Sequence, residues 1–459
     1  DGIDSVNRWQ AIVPDQHNDW INQRDDNFND FMVLGAKKSD VKLKLFEVFS
    51  LGATTNRDAW CYNLSKRDIA TNMGRMIEFF NSEIIRFKQD YPSLSRQDRA
   101  SKVEKFVDND PKKICWSRGL RQELSKGKFL CFDKGSIIAS LYRPFSKQWL
   151  YFNRNLNEYL YQIPRIFPNA ASENRIICVS GVGARSGFST LIVDAIPNLH
   201  ALDTGQCFPL YLYEDPEEEP TEKTQNADWI DEPVKPESKR RDAITDEGLA
   251  HFQAAYPNEE ISKEDLFYYV YGLLHSPDYR ERYADNLTKE LPRIPAVKTA
   301  ADFWAFSKAG RDLAHWHLNY ETVEPYPVTL ETTGKTLTAA DYRVEKMRYG
   351  KALTPALSQG ERGKAGKDLT TLHYNDKITL RGIPLEAYEY VVNGKPALDW
   401  VVERQGVKVD KDSGIVNDAN DWAIETMNNP RYPLELFQRV ITVSLETLKI
   451  VKALPALAI

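Results

Sequence analysis

The chain has 459 residues, of which 42 % are hydrophobic and 27 % charged, and a net charge of −6. That length is ample for a large core and is a prior for two to four domains. No run reaches the roughly 18–20 apolar residues of a membrane span and no signal peptide opens the chain, so a membrane-free cytoplasmic protein is expected. The five cysteines are odd in number, scattered and without a C-x-x-C, which points to reduced thiols rather than a disulfide frame or zinc site. The seven histidines are dispersed too. The one close pair, His315 and His317, reads as surface or core histidines, because no further ligand stands at metal spacing.

The charge is unevenly spread. Residues 1–213 hold 29 Lys and Arg against 24 Asp and Glu, while residues 214–459 hold 31 against 42. Within the first part, residues 102–185 hold 15 basic against 7 acidic residues. A local basic field is the footprint of a polyanion partner, although a solvated basic face has the same composition.

In chain order, residues 1–30 read as an irregular lead-in, and Phe31 to Gly35 and Leu45 to Ser50 have strand length and character. The loop Leu51 to Trp60 carries Thr54, Thr55, Asn56 and Arg57 on a Gly-led backbone. Those groups suit phosphate or base edges, or an ordinary turn with an Asp cap. Ser65 to Asp68 resembles a capping box, and Ile69, Met73, Met76, Ile77, Phe80, Ile84 and Phe87 recur every three or four residues behind it. That pattern predicts a long helix with this face in the core. Residues 92–135 read as basic helices and turns.

The stretch Ser140 to Arg154 packs five aromatics, Arg143, Arg154, Lys147, Gln148 and Asn153 into fifteen residues. It predicts two strands, Ile137 to Arg143 and Trp149 to Phe152, turning at Pro144 so that Arg143 and Lys147 flank a corner. Guanidinium and amide groups beside aromatic faces suit a surface that grips phosphates and reads base edges. A core hairpin with solubilising cations is the competing reading. The two prolines in Ile163 to Pro168 argue against regular structure there. Arg175 to Ser180 predicts a buried strand running into Gly181 to Gly187, a loop that lacks dinucleotide-binding spacing and presents Arg185. Residues 214–243 are acidic and Pro-rich, and predict a linker. Helices are expected after Ser262 and Thr299, strands over 326–349 and 371–381 with Arg343, Lys346 and Arg348 on the first pair, an inserted loop over Lys351 to Lys367, and a helix-rich end.

Several chemistries lack their residues. There is no phosphate-binding G-x-x-x-x-G-K-[ST], and Asn429-Pro430-Arg431-Tyr432 has arginine where the amino-methyltransferase motif has its second proline. Glu237-Ser238-Lys239 falls in the acidic linker, where no strand can hold it for Mg²⁺. No catalytic or metal-ligating residue is therefore assigned.

Thr54 to Trp60, Tyr142-Arg143-Pro144-Phe145, Gly205 to Tyr211, Asp265 to Pro277 and Arg293-Ile294-Pro295 together resemble the C-terminal part of Type ISP restriction-modification enzymes. The resemblance covers nearly the whole chain. Such enzymes are single polypeptides with a nuclease, a helicase-like ATPase, a coupling region, an N6-adenine methyltransferase and a C-terminal target recognition domain. It implies that this chain is that last part, consistent with its start at Asp1, and that S-adenosylmethionine, ATP and Mg²⁺ serve other parts of the parent polypeptide.

The expectation is an α+β protein with mixed sheet and helices in two lobes. Residues 1–213 form a strand-rich lobe, 214–243 the acidic linker and 244–459 a more helical lobe. The expected partners are double-stranded DNA and the methyltransferase and helicase-like domains of the same polypeptide, with no membrane and no cofactor in this fragment. Charge and residue type select Thr55, Asn56, Arg57, Arg143, Lys147, Gln148, Arg154, Arg185, Arg343, Lys346 and Arg348 as the DNA-binding set. A scaffold that docks other domains without touching DNA is the alternative.

Overall fold

A computed structural model describes residues 12–36, 43–214, 239–334, 336–351 and 366–459. Helices and several small sheets alternate, giving the expected α+β class. Ser65 opens the helix Lys66–Asp90 by accepting from the Asp68 amide, and the predicted apolar residues line its buried face. The helix lies over a four-stranded sheet ordered Tyr62–Asn63, Ser146–Tyr151, Ile137–Arg143 and Ile196–Pro197.

The central stretch is a hairpin whose register pairs Arg143 with Ser146, leaving Pro144 and Phe145 as a two-residue turn. Phe145 takes φ 55°, a left-handed backbone that is costly for a bulky side chain. Its compensation is packing: the ring is buried edge-on to Tyr320 at 5.3 Å. Phe145 and Tyr151 are thus core residues, as the competing reading required, while Tyr142 and Trp149 stay half-buried.

A second sheet runs Ser50–Leu51, Gln206–Pro209, Ile176–Val179 and Thr190–Val193. Gly181 to Gly187 connects two antiparallel strands of it, so that loop does not open a helix as a dinucleotide site requires. Against expectation, Ile163–Ile166 is a short helix. Pro164 sits in its first turn, where the missing N–H costs no bond.

Residues 215–238 and 352–365 lie outside the described residues, and with them most of the predicted linker and inserted loop. The linker's ends are ordered, since Tyr211–Glu214 pairs antiparallel with Lys239–Asp242. A third sheet holds Thr329–Thr332, Ile378–Arg381, Lys367–His373 and Arg348–Lys351. Arg343 and Lys346 were expected on its strands but lie between Thr329–Thr332 and Arg348–Lys351, Arg343 closing the 3-10 turn Ala339–Tyr342.

Contacts between the early and late chain are extensive. Met32–Val33 pairs with Arg293–Ile294. A π-helical turn, Trp422–Thr426, aims the Glu425 carboxylate at Ser65 Oγ and the Lys66 amide, both at 3.0 Å, where it caps the long helix.

A buried polar cluster ties the helices Ala300–Leu318 and Tyr432–Lys452 to the second sheet. The Ile192 amide donates to the Tyr271 hydroxyl (2.9 Å), Tyr271 meets His317 Nδ1 (2.6 Å), and His317 Nε2 meets Thr447 (2.9 Å). Burial, reinforced by the Arg280 guanidinium, holds His317 down to about 3, and burial likewise depresses His275. Both histidines are neutral when folded and take up a proton when unfolded. Their contribution is therefore complete above the unfolded pKa near 6.5 and drains away as pH falls towards 3. At pH 5, His317 alone is expected to cost about 2 kcal/mol of stability relative to pH 7.5, read as a lower urea midpoint.

Candidate nucleic-acid interface

A cleft of about 310 Å³ separates the first sheet from a late hairpin, Val407–Val409 with Val416–Asp418. Its walls carry Asp58, Tyr142, Gln148, Arg404, Lys408 and Asn417. The hairpin is docked by amide chemistry. The Asn63 side chain donates to the Val416 carbonyl (2.9 Å), the Leu64 amide donates to Asn417 Oδ1 (2.9 Å), and Asn417 Nδ2 donates to Gln148 Oε1 (3.1 Å).

Tyr142 is the centre of the cleft's charge. The Arg143 guanidinium lies 4.0 Å from its ring centroid and the Arg404 guanidinium 5.9 Å from it. Arg143 donates to the Tyr142 carbonyl (2.5 Å) and to Asn198 Oδ1 (2.9 Å), so it is held by neutral acceptors and not by a carboxylate. Arg404 ends the helix Ala397–Arg404, and its buried Nε finds no acceptor among the described residues. Burial and then the Arg143 charge push Arg404 below the usual arginine value. Burial and then Arg404 do the same to Lys408. Arg404 and Lys408, both held down by burial and neighbouring positive charge, are groups whose charged forms an incoming anion would favour. Asp58 and Asp410 also line the cleft, so it offers both donors and acceptors.

The residues selected from sequence divide into three groups. Gln148 lines the cleft but is buried and bonded to Asn417, and Arg143 stands beside the cleft on the ring of Tyr142. Thr55, Arg57 and Lys147 are engaged internally, and Arg343, although exposed, is ion-paired within the chain. Thr55 Oγ1 bonds the Asp58 carboxylate and accepts from the Arg57 amide at 3.1 Å, just ahead of the helical turn Asp58–Cys61. Arg57 is buried and braces the loop to Cys115 and Leu156, donating Nε to the Cys115 carbonyl at 3.2 Å and Nη1 to the Leu156 carbonyl. Lys147 pairs with Glu321 (3.1 Å) and Asp194 (3.3 Å). Arg343 pairs with Asp418 (2.8 Å) and Glu345 (2.9 Å).

The third group is exposed. Asn56 sits at φ 52° on the tip of its loop, Arg154 and Arg185 stand on separate loops, Lys346 lies just before the third sheet's strand Arg348–Lys351, and Arg348 opens that strand as expected. Lys346 also bridges Gly406 through its backbone, next to the cleft hairpin.

Although burial pushes the Lys147 ammonium down, Glu321 and Asp194 outweigh it and hold Lys147 above the usual lysine value. Lys147→Ala is expected to lower stability by about 2 kcal/mol, because Glu321 loses its cation and keeps only the Tyr432 hydroxyl, with duplex affinity unchanged. Denaturant unfolding and a binding isotherm on one preparation check both halves. A fall in affinity at unchanged stability would return Lys147 to the interface.

Sequence reasoning did not select Tyr142, Arg404, Lys408 or Asn417. The only local signal was the alternation Val407, Lys408, Val409, which puts Lys408 opposite two apolar neighbours.

The cleft sets the Arg404 and Lys408 cations beside the Asp58 and Asp410 carboxylates on an α+β scaffold. The chain belongs to the Type ISP C-terminal specificity domain family, whose model matches residues 44–436. Three solved structures are similar over almost the whole chain. A nuclease-deletion mutant of the Type ISP restriction-modification enzyme LlaGI, in complex with a DNA substrate mimic, shares 35 % identity at TM-score 0.79. The ATP-dependent Type ISP restriction-modification enzyme LlaBIII bound to DNA shares 32 % at TM-score 0.79, and a DrdV–DNA complex shares 30 % at 0.74. The matches cover 100 %, 98 % and 99 % of this chain and 37 %, 26 % and 41 % of those chains, so this chain spans well under half of each. No curated protein matches.

Proposed function

We propose that this chain reads a target sequence in double-stranded DNA for a Type ISP restriction-modification enzyme, with the cleft face turned towards the duplex. The observation that carries this reading is the Arg143–Tyr142–Arg404 arrangement with Lys408 in the same cleft wall, in which Arg143 is held by neutral acceptors and the Arg404 Nε has none among the described residues. Phosphates suit the cations, and base edges suit the arginine, amide and carboxylate groups that share the cleft. The similarity to three enzymes solved with DNA supports it. On this reading the chain places the target adenine for N6-methylation and licenses ATP-driven cleavage, while S-adenosylmethionine, ATP and Mg²⁺ act in other parts of the polypeptide.

Fluorescence anisotropy with a labelled duplex over 50–200 mM salt, a range on the order of that used for such titrations, tests the reading. Affinity is expected to fall steeply with salt, since each neutralised phosphate contributes about −0.9 to the logarithmic slope. No binding at low salt would hand the chain to the docking-scaffold reading. That second reading draws on an apolar hollow of about 390 Å³ beside Ala339, Ala340, Ile424 and Pro430, where Ile424 is exposed.

A further inference from the structure

We infer that Tyr159 and Tyr161 form a stacking ledge for an unpaired nucleobase, beside the duplex-facing cleft; the inference rests on the DNA reading above. The two rings are 54 % and 42 % exposed, lie 5.5 Å apart and are inclined by only 27°. One tyrosine thus backs the other and leaves an outer π-face to solvent. Two large exposed rings stacked on each other are not explained by core packing.

The backbone holds them there. Thr54 and Tyr159 exchange both amide bonds at 3.1 Å, the Gln162 amide donates to Ser50 Oγ at 3.1 Å, and Ile163 anchors the following turn in the core. Between these pins Tyr161 sits at φ 49°, a conformation that costs a bulky residue on the order of 1–3 kcal/mol and clusters where ligands are clamped.

The ledge's neighbours favour a nucleic acid. The same segment that pairs with Tyr159 pairs on its other side with Asn198, through an Ala53–Asn198 bridge, and Asn198 holds Arg143. Tyr159 and Asn198 are therefore about two strand spacings apart, roughly 10 Å. That equals about three nucleotide steps at 3.4 Å, so a strand whose phosphate meets Arg143 can bring a base to the ledge. Arg154 and Asn56, both exposed, lie on the loops that carry and adjoin the ledge. Stacking on tyrosine accepts any base, because every base has a π-face, which suits a nucleotide unpaired beside the target rather than one read by its edges.

The test uses the 459-residue chain, a fully paired duplex, and the same duplex carrying one unpaired 2-aminopurine. Wild type is expected to bind the second duplex and quench its fluorescence. Tyr159→Ala with Tyr161→Ala should lose that quenching and roughly tenfold of affinity for the unpaired base, with paired-duplex affinity kept within about twofold. Tyr159→Phe with Tyr161→Phe keeps both π-faces and should behave as wild type, which separates stacking from misfolding. Equal losses on both duplexes, or no loss on either, would overturn the ledge while leaving the DNA reading intact. A change only in self-association would make it a protein-docking surface and overturn it too. Failure of wild type to bind either duplex would overturn the DNA reading itself, and the ledge with it.

Discussion

Arg143→Ala combined with Arg404→Ala is expected to weaken duplex binding by about 30- to 1,000-fold, or about 2–4 kcal/mol, with little change in the unfolding midpoint. The size follows from the geometry of the cleft. Neither guanidinium pairs with a carboxylate among the described residues, the two sit on the same tyrosine ring, and the buried Arg404 Nε has no acceptor there. Each is therefore ready to bind an anion without first breaking an ion pair. Folding should be nearly indifferent, because the lost Arg143–Asn198 bond is offset by relief of the repulsion that depresses Arg404 and Lys408. Anisotropy against a target duplex and a scrambled one separates two roles. A larger loss on the target makes the pair base-reading, while an equal loss with a shallower salt slope makes it phosphate-binding. Loss of the thermal transition would make the pair structural.

Gly310→Ala should be the most damaging single change to the fold, costing on the order of 3 kcal/mol or more. The helices Lys263–Leu273 and Ala300–Leu318 cross so closely that a Cβ on Gly310 would overlap the Tyr268 carbonyl, and one on Gly272 the Phe306 carbonyl. These are backbone atoms of packed helices, which cannot rotate aside, so the crossing itself must open. Gly74, also helical, supplies the contrast, since a Cβ there meets nothing within 4 Å. Gly74→Ala should stabilise by about 0.5–1 kcal/mol through helix propensity. Urea midpoints of the two variants check the pair, and a wild-type midpoint for Gly310→Ala would contradict the close crossing.

Elements governed by local chemistry were legible in the sequence. Ser65 with its apolar stripe and the Ser262 capping box each depend on residues within a few positions and form as read. The hairpin turns at Pro144, but its second strand starts at Ser146, so Arg143 and Lys147 sit in the ladder instead of flanking a corner. Charge roles were less legible, because an arginine's partners are chosen by tertiary contact. Arg57 reaches Leu156, 99 residues away, and Lys147 reaches Glu321. The cleft likewise joins Tyr142 to Arg404 and Asn63 to Val416, pairs that no local window contains. Residue type gave Arg143 its place beside Tyr142, but could not tell a cation held by neutral acceptors from one already paired. The family was readable because its long motifs survive where individual contacts cannot be inferred.

Selection of the chain's ligands from a randomised duplex pool, sequenced at two salt concentrations, tests the central claim most directly. Specific sites survive salt better than phosphate-driven binding does. The predicted result is one asymmetric motif enriched at the higher salt by wild type and lost with Arg143→Ala and Arg404→Ala together. Recovery of no motif at either salt, with the double variant indistinguishable from wild type, would contradict a sequence-reading cleft in this chain.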